Sequence, residues 1–182
     1  SDGFNGIFSF DANIGESFVL SYSKPVNFKL VDSRTPSNNA SIRIRKGSKL
    51  VDNTTFTALG LDFTSNLDNG KYAFKGYSRS EGDYQAFDIN TESINSDLTL
   101  YAFYELAPDW VQSRTDLANA VNTANGMLNN SALKEEHRNL LTSALADAVA
   151  VFNKTNPSPT VAEMDAARAA LNAVIQEING YV

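Results

Sequence analysis

Cysteine is absent from the chain, and histidine and tryptophan occur once each. Disulfides, thiolate metal sites and cysteine nucleophiles are therefore excluded, and a single histidine excludes multi-histidine metal centres. Cations are in the minority: 15 Lys+Arg against 21 Asp+Glu give a formal net charge of −6. That balance argues against nucleic acid or an anionic membrane as a partner. No apolar run approaches the roughly 18 residues of a membrane span, so membrane insertion is not expected. Ser1-Asp2-Gly3-Phe4 has neither a basic nor an apolar leader region, and Asn179-Gly180-Tyr181-Val182 is not an anchoring tail. Both ends are expected to be cuts in a longer chain.

What is present divides in two. The 182 residues fit one domain or two small ones, and composition changes near Ala107-Pro108. Residues 1–106 hold 16 of the 19 aromatics and six alanines, whereas 107–182 hold three aromatics and fifteen alanines. Aromatic-rich sequence suits pleated sheets, and alanine-rich sequence suits helices. Each part carries a net −3, so charge does not separate them.

In the first part the apolar period is two, over Phe4–Phe10, Ser17–Tyr22, Val26–Leu30 and Ala40–Arg45. Tyr72–Tyr77 and Leu98–Tyr104 are the strongest strands, and Thr54–Leu61 is expected to form a short helix across one sheet face. In the second part Leu117, Val121, Ala124 and Leu128 fall on one helix face. Leu141, Leu145, Ala148 and Phe152 form a second face, and Val161, Met164, Leu171, Val174, Ile175 and Ile178 a third. Thr160 followed by Glu163 predicts a capping box, while Pro157-Ser158-Pro159 ends the helix before it. The fold class expected is α+β: a mainly-β module over 1–106, then an antiparallel three-helix bundle over 107–182.

The stretch from Val26 to Glu105 resembles the Listeria–Bacteroides repeat, also called the internalin B-type repeat. The matching elements are Val26–Val31, Ile42-Arg43-Ile44-Arg45-Lys46-Gly47 and Tyr72-Ala73-Phe74-Lys75-Gly76-Tyr77. Ala86-Phe87-Asp88-Ile89 and Asp97–Glu105 follow and are the specific ones. The chain departs from the pattern where Gly-Trp is Gly76-Tyr77, where the final Trp is Tyr104, and in a longer segment over 48–71. The resemblance implies a β-grasp-like fold used as a bacterial surface repeat. Residues 109–179 are similar to the FIVAR module, through Leu117–Val121, Leu141–Val151 and Ala167–Val174. Both resemblances imply secreted or wall-attached Gram-positive proteins. Residues 1–25 match neither family and are expected to be an extra hairpin or the stub of a preceding module.

The chemistry-bearing residues have structural alternatives. His137 stands among Lys134, Glu135, Glu136 and Arg138, where a solvated helix position is expected instead of a catalytic base. No Gly-x-Ser-x-Gly, Walker loop or His-Glu-x-x-His occurs. Asp11–Glu16 and Asp62–Asp68 with Asn69-Gly70 carry closely spaced oxygens, but without the ligand alternation of an EF-hand they read as turns. Arg43, Arg45, Lys46 and Lys49 form one basic cluster, expected to protect an edge strand. Tyr77, Tyr84, Tyr104 and Trp110, with Asp88 and Asn90 nearby, are the candidate ligand-binding residues, a glycan being the ligand weighed. Packing within the core is the competing role for them.

The expectation is a non-catalytic spacer or presentation pair from an extracellular, wall-attached or secreted adhesin-like protein. It needs no catalytic residue, metal or cofactor. Its partners are other domains of the parent chain, and a glycan or host surface protein. The alternative is an ancillary carbohydrate- or host-protein-binding module of an extracellular glycoside hydrolase. Leu106, Ala107 and Trp110 are expected to be buried at the joint.

Overall fold

In the computed structural model, residues 5–9 and 17–21 are described at the backbone and residues 24–180 in full. The fold is α+β, with a five-stranded mixed sheet and four helices. Strands β1 (Asn5–Ser9) and β2 (Ser17–Ser21) pair with each other, antiparallel, from Asn5↔Ser21 to Ser9↔Ser17. The chain forms two compact units, one of Ser1–Ser65 with Phe74–Tyr104, the other of Asn66–Ala73 with Glu105–Val182. Where composition suggests a single cut after residue 106, eight residues from inside the first part join the helices.

Alternation is clear in the first hairpin of the first unit. In β3 (Pro25–Val31) Val26, Phe28 and Leu30 are buried while Asn27 and Lys29 are exposed, as a strand with one covered face requires. β3 pairs antiparallel with β4 (Ala40–Arg45) and parallel with β9 (Leu98–Leu106). β6 (Tyr72–Ser78) lies beyond β9, then β7 (Ala86–Phe87), in the order β4-β3-β9-β6-β7. β4 is therefore an edge, and Arg43 and Arg45 on it are exposed, which blunts pairing with another chain. Two-residue strands β5 (Ser48–Lys49) and β8 (Ser93–Ile94) pair separately. Asn53 caps helix α1 (Thr54–Thr57) by accepting from the Phe56 amide at 2.8 Å. Phe56 then meets Phe28 and Tyr77 edge-on over the sheet, with ring centroids 5.8 and 6.1 Å apart. The expected short helix thus exists, as one turn.

The second unit is built on α2 (Pro108–Leu128), α3 (Glu135–Phe152) and α4 (Val161–Asn179), each packed against the other two. Leu117, Ala120 and Ala124 of α2 meet Leu141, Leu145 and Ala148 of α3 and Met164, Leu171, Ile175 and Ile178 of α4 in one core. The capping box forms in full: Thr160 Oγ1 accepts from the Glu163 amide at 3.0 Å, and Glu163 Oε2 accepts from the Thr160 amide at 2.9 Å. Lys154 also binds that carboxylate at 2.8 Å. It is the largest cause holding the Glu163 carboxyl below its ordinary range, ahead of the Thr160 amide.

Neither α2 nor α3 has a basic residue in its own last turn. Each borrows one from the other. Arg138 of α3 donates to the Leu128 and Asn130 carbonyls at 2.6 and 2.9 Å, closing the end of α2. Arg114 of α2 donates to the Phe152 carbonyl at 3.0 Å, closing α3. Carbonyls at a helix C-terminus have no partner in the helix and carry its partial negative charge, so a guanidinium serves both needs.

Residues 66–73 complete this unit. Asp68 accepts from the Ser158 amide at 2.8 Å and from its hydroxyl at 2.6 Å. Asn69 Nδ2 donates to the Ser158 carbonyl at 2.8 Å. The Ala107 amide donates to the Lys71 carbonyl at 2.9 Å. Asp68, Asn69 and Gly70 follow one another at φ 51°, 55° and 83°, a left-handed run that Asn, Asp and Gly tolerate best. Asp68→Ala leaves the buried Ser158 amide and hydroxyl without acceptors and is expected to cost about 1.5–3 kcal/mol. Urea unfolding followed by helical circular dichroism measures it, and a midpoint unchanged from wild type would show that the clasp holds nothing.

Candidate functional site

Tyr77, Tyr84 and Tyr104 belong to the first unit and Trp110 to the second. Tyr77 packs edge-on against Phe56, Phe63 and Phe74, at centroid distances of 6.1, 5.8 and 5.6 Å, and burial pushes its hydroxyl pKa up. Tyr104 shares Phe74 as a neighbour, at 5.7 Å. Phe74 itself stacks on Phe63 at 3.9 Å with the rings 6° from parallel. Two of the candidates thus belong to one aromatic cluster that builds the first unit.

Tyr84 lies over a glycine. Gly76 has φ +152°, and a Cβ placed there would stand 2.5 Å from the Tyr84 hydroxyl oxygen. Phe103 flanks the ring at 5.2 Å, and the Lys75 ammonium sits 4.9 Å from its centroid. An aromatic over a strand glycine restores the cover that the missing side chain removes. Asp88 and Asn90 serve a turn of their own, the Asp88 carboxylate accepting from the Asn90 amide at 2.9 Å and the Thr91 hydroxyl at 2.9 Å.

A buried polar centre that sequence reading missed stands behind Tyr104. Asp32 is 0% exposed. Its Oδ1 accepts from the Arg34 and Thr35 amides at 3.1 and 2.9 Å. Its Oδ2 accepts from Asn38 Nδ2 at 2.8 Å and from the Tyr104 hydroxyl at 2.9 Å. Asn38 carries the network to Asp62, donating to its carbonyl at 2.7 Å and accepting from its amide at 3.0 Å. A carboxylate has about four acceptor positions, and all four are spent. Burial first, then the hydrogen bond and the charge of Asp32, push the Tyr104 pKa up to about 12. The sequence signal was available: Asp32 three residues before Thr35-Pro36 is the pattern of a side-chain-capped turn.

His137 is not solvated: its side chain is 13% exposed, with Nε2 3.9 Å from Glu136. As the third residue of α3 it lies one turn before Leu141, on the inward face. Leu106 is not buried but 48% exposed, because it stands at the end of β9. Asp62 turns its carboxylate to the Thr64 amide and hydroxyl at 2.8 and 2.6 Å, while Asp68 turns to Ser158. Among the described residues no group of three or more His, Asp or Glu could hold a metal ion. The Asp11–Glu16 turn lies outside the described residues.

Trp110 occupies a different setting, in the second unit. It is 4% exposed, and Nε1 donates to the Pro159 carbonyl at 2.8 Å. Two cations sit against its ring: the Lys71 ammonium at 5.2 Å and the Arg114 guanidinium at 5.4 Å from the centroid. Arg114 also covers Phe152 at 3.8 Å. These residues line a groove of about 630 Å³, with Leu106, Val111 and Ala118 as apolar wall and Thr115, Asn119, Asn153 and Thr155 as polar groups. A second groove of about 690 Å³ runs between α3 and α4 over Ala144, Ala148, Ala167 and Ala170.

Three substitutions check these placements. A folded-state Tyr104 pKa near 12, above an unfolded value near 10, stabilises the fold fully below pH 10. That contribution is lost as pH rises from about 10 to about 12. An ultraviolet phenolate titration is expected to show a late step near 12 that Tyr104→Phe deletes; its persistence in the variant would refute the assignment. Gly76→Ala is expected to destabilise by about 1–3 kcal/mol through backbone strain and collision with Tyr84. Adding Tyr84→Phe, which removes the colliding oxygen, recovers part of the loss in the same urea titration.

Compared with protein-family models, with curated proteins and with solved structures, the chain matches none significantly.

Proposed function

We propose that the chain is a non-catalytic pair of spacer and presentation modules from a bacterial cell-surface or secreted protein. The observation that carries this reading is that its chemistry-bearing side chains are spent on the fold. Asp32 holds four hydrogen bonds, and Tyr104 keeps its proton to about pH 12. Arg114 and Arg138 close helix ends, and Asp68 is committed to Ser158. A catalytic acid, base or nucleophile needs an acceptor, proton or lone pair left for the substrate.

Strand order supports the β-grasp-like assignment of the first module. A hairpin, β3 with β4, is followed by a helix on the sheet and by a later strand, β9, parallel beside the first, with β6 beyond it. Mutual packing of α2, α3 and α4 around a shared core supports a FIVAR-like three-helix bundle as the second. The spacer role gains from the clasp on Ser158. The helical unit draws residues 66–73 from within the sequence of the other, so the chain passes between its two units three times. The alternative reading, an ancillary binding module, is favoured in its protein-binding form by the groove beside Trp110. A glycan platform needs an open aromatic face, and a tryptophan 4% exposed has none to give.

Two measurements test the proposal. Antibodies raised against the chain are expected to label intact, unpermeabilised cells of the source organism; labelling that requires permeabilisation would overturn the surface assignment. A protease site inserted between Leu106 and Ala107 is expected to yield two fragments that elute together, because residues 66–73 stay clasped on Ser158. Fragments that separate under native conditions would remove the support for a spacer.

A further inference from the structure

We propose that the groove beside Trp110 binds an acidic peptide segment of a partner protein, one that carries a carboxylate side chain between aliphatic residues. Charge is the first argument. In a chain of net −6, the groove lining includes three cations, Lys71, Arg114 and Lys154, and no carboxylate. Lys154 is neutralised by Glu163 at 2.8 Å, and Arg114 gives one donor to the Phe152 carbonyl. Asp68 is turned to the Ser158 amide and hydroxyl. Among the described residues the Lys71 ammonium has the rings of Tyr72 and Trp110, at 5.5 and 5.2 Å, as partners. An ammonium held by ring faces keeps its hydrogen-bond donors for a carboxylate.

Apolar surface is the second argument. Val51, Leu106, Val111 and Leu140 are the exposed large hydrophobics among the described residues, and two of them, Leu106 and Val111, line this groove. Their exposures of 48% and 39% put aliphatic surface beside the unpaired ammonium. An aliphatic side chain next to a carboxylate covers that surface and gains from its burial.

The polar residues decide which kind of anion fits. Thr115, Asn119, Asn153 and Thr155 offer donors and acceptors that a peptide backbone can satisfy. A fatty acid would bury some of them without partners, at a cost. A sugar acid would meet no open aromatic face, since Trp110 is already covered. A volume of about 630 Å³ suits a few residues of extended chain.

Trp110 is the sole tryptophan among seven tyrosines, so fluorescence of the full chain excited at the red edge, where tyrosine does not absorb, reports this groove. Titration with acetyl-Leu-Glu-Leu-amide is expected to give a saturable change in the millimolar range that weakens as salt is added. The uncharged acetyl-Leu-Gln-Leu-amide, and Lys71→Gln titrated with the acidic peptide, are each expected to lose about tenfold in affinity, the scale of one exposed-to-half-buried charged contact. Lys71→Gln keeps the backbone carbonyl that pairs with Ala107, so its thermal unfolding is expected to match wild type and to separate lost binding from lost fold. Lys75→Gln, which removes a cation beside Tyr84 instead, is expected to bind normally. No saturable change, equal binding of the glutamine peptide, or undiminished binding to Lys71→Gln would each overturn the proposal. So would saturable binding of glucuronate or sialic acid in place of the peptide. None of these results would touch the spacer reading, which requires no ligand.

Discussion

Taking a carboxylate out of water is tolerable only when its lone pairs are occupied; Asp32 in the first unit meets that condition, and half-buried Asp68 ties a segment of the second. Asp32 gathers a turn, a 3-10 segment at Pro36–Asn38 and the end of β9 onto a single side chain. Asp68 gathers residues 66–73 and the Pro157-Ser158-Pro159 segment. The donors in these bonds are backbone amides, hydroxyls and a side-chain amide. Such donors are fixed in direction, so a carboxylate that uses them specifies local geometry more narrowly than a surface ion pair would. Hydrophobic burial supplies most of the stabilisation in each core, and these two side chains decide which irregular segments lie against those cores.

The helices illustrate the same economy at their ends. α4 begins on a capping box made entirely from local residues, Thr160 and Glu163. The ends of α2 and α3 have backbone caps at Asn129 and Asn153, but no basic residue lies in either last turn. Arg114 and Arg138 solve both problems in exchange, each rooted in one helix and closing the other. This arrangement couples helix ends to helix packing: if α2 and α3 separate, both ends lose their caps together. Cooperativity of this kind comes from donors that reach across elements, and it adds to the contribution of the alanine-rich core, where small side chains let helices approach closely.

How much of this the sequence carried depends on the distance over which each feature is encoded. Val26–Leu30 and Ala40–Arg45 alternate, and they are strands with the buried face that alternation implies. Thr160 and Glu163 are three residues apart, and the capping box forms as read. Asp68 and Ser158 are 90 positions apart; each looks locally like ordinary turn chemistry, and no periodicity links them. Ser158 read as part of a helix stop, which it is, but its role as the clasp for another segment has no local signature. The aromatics gave the same lesson. Residue type alone groups Tyr77, Tyr84, Tyr104 and Trp110, whereas the fold puts Tyr77 and Tyr104 in one ring cluster, Tyr84 over a strand glycine and Trp110 on a proline carbonyl. His137 was read from its charged sequence neighbours, whereas its helix phase, one turn before Leu141, governs its burial.

Charge distribution follows from these assignments. A chain with 15 cations and 21 acidic residues could pair nearly every cation on its surface, yet here Arg114 and Arg138 are spent on carbonyl oxygens. Carbonyls at helix ends are partly buried and cannot leave to find other partners, so they compete well for a guanidinium whose geometry allows two parallel donations. The carboxylates displaced from that pairing remain solvated, where hydration is cheap and exposed ion pairs contribute little. At the helix junctions, positive charge is drawn inward through Arg114 and Arg138. Lys71 and Arg114 against Trp110 are the point where this inward positive charge meets open apolar surface. The groove's character therefore has the same origin as the stability of the helical unit.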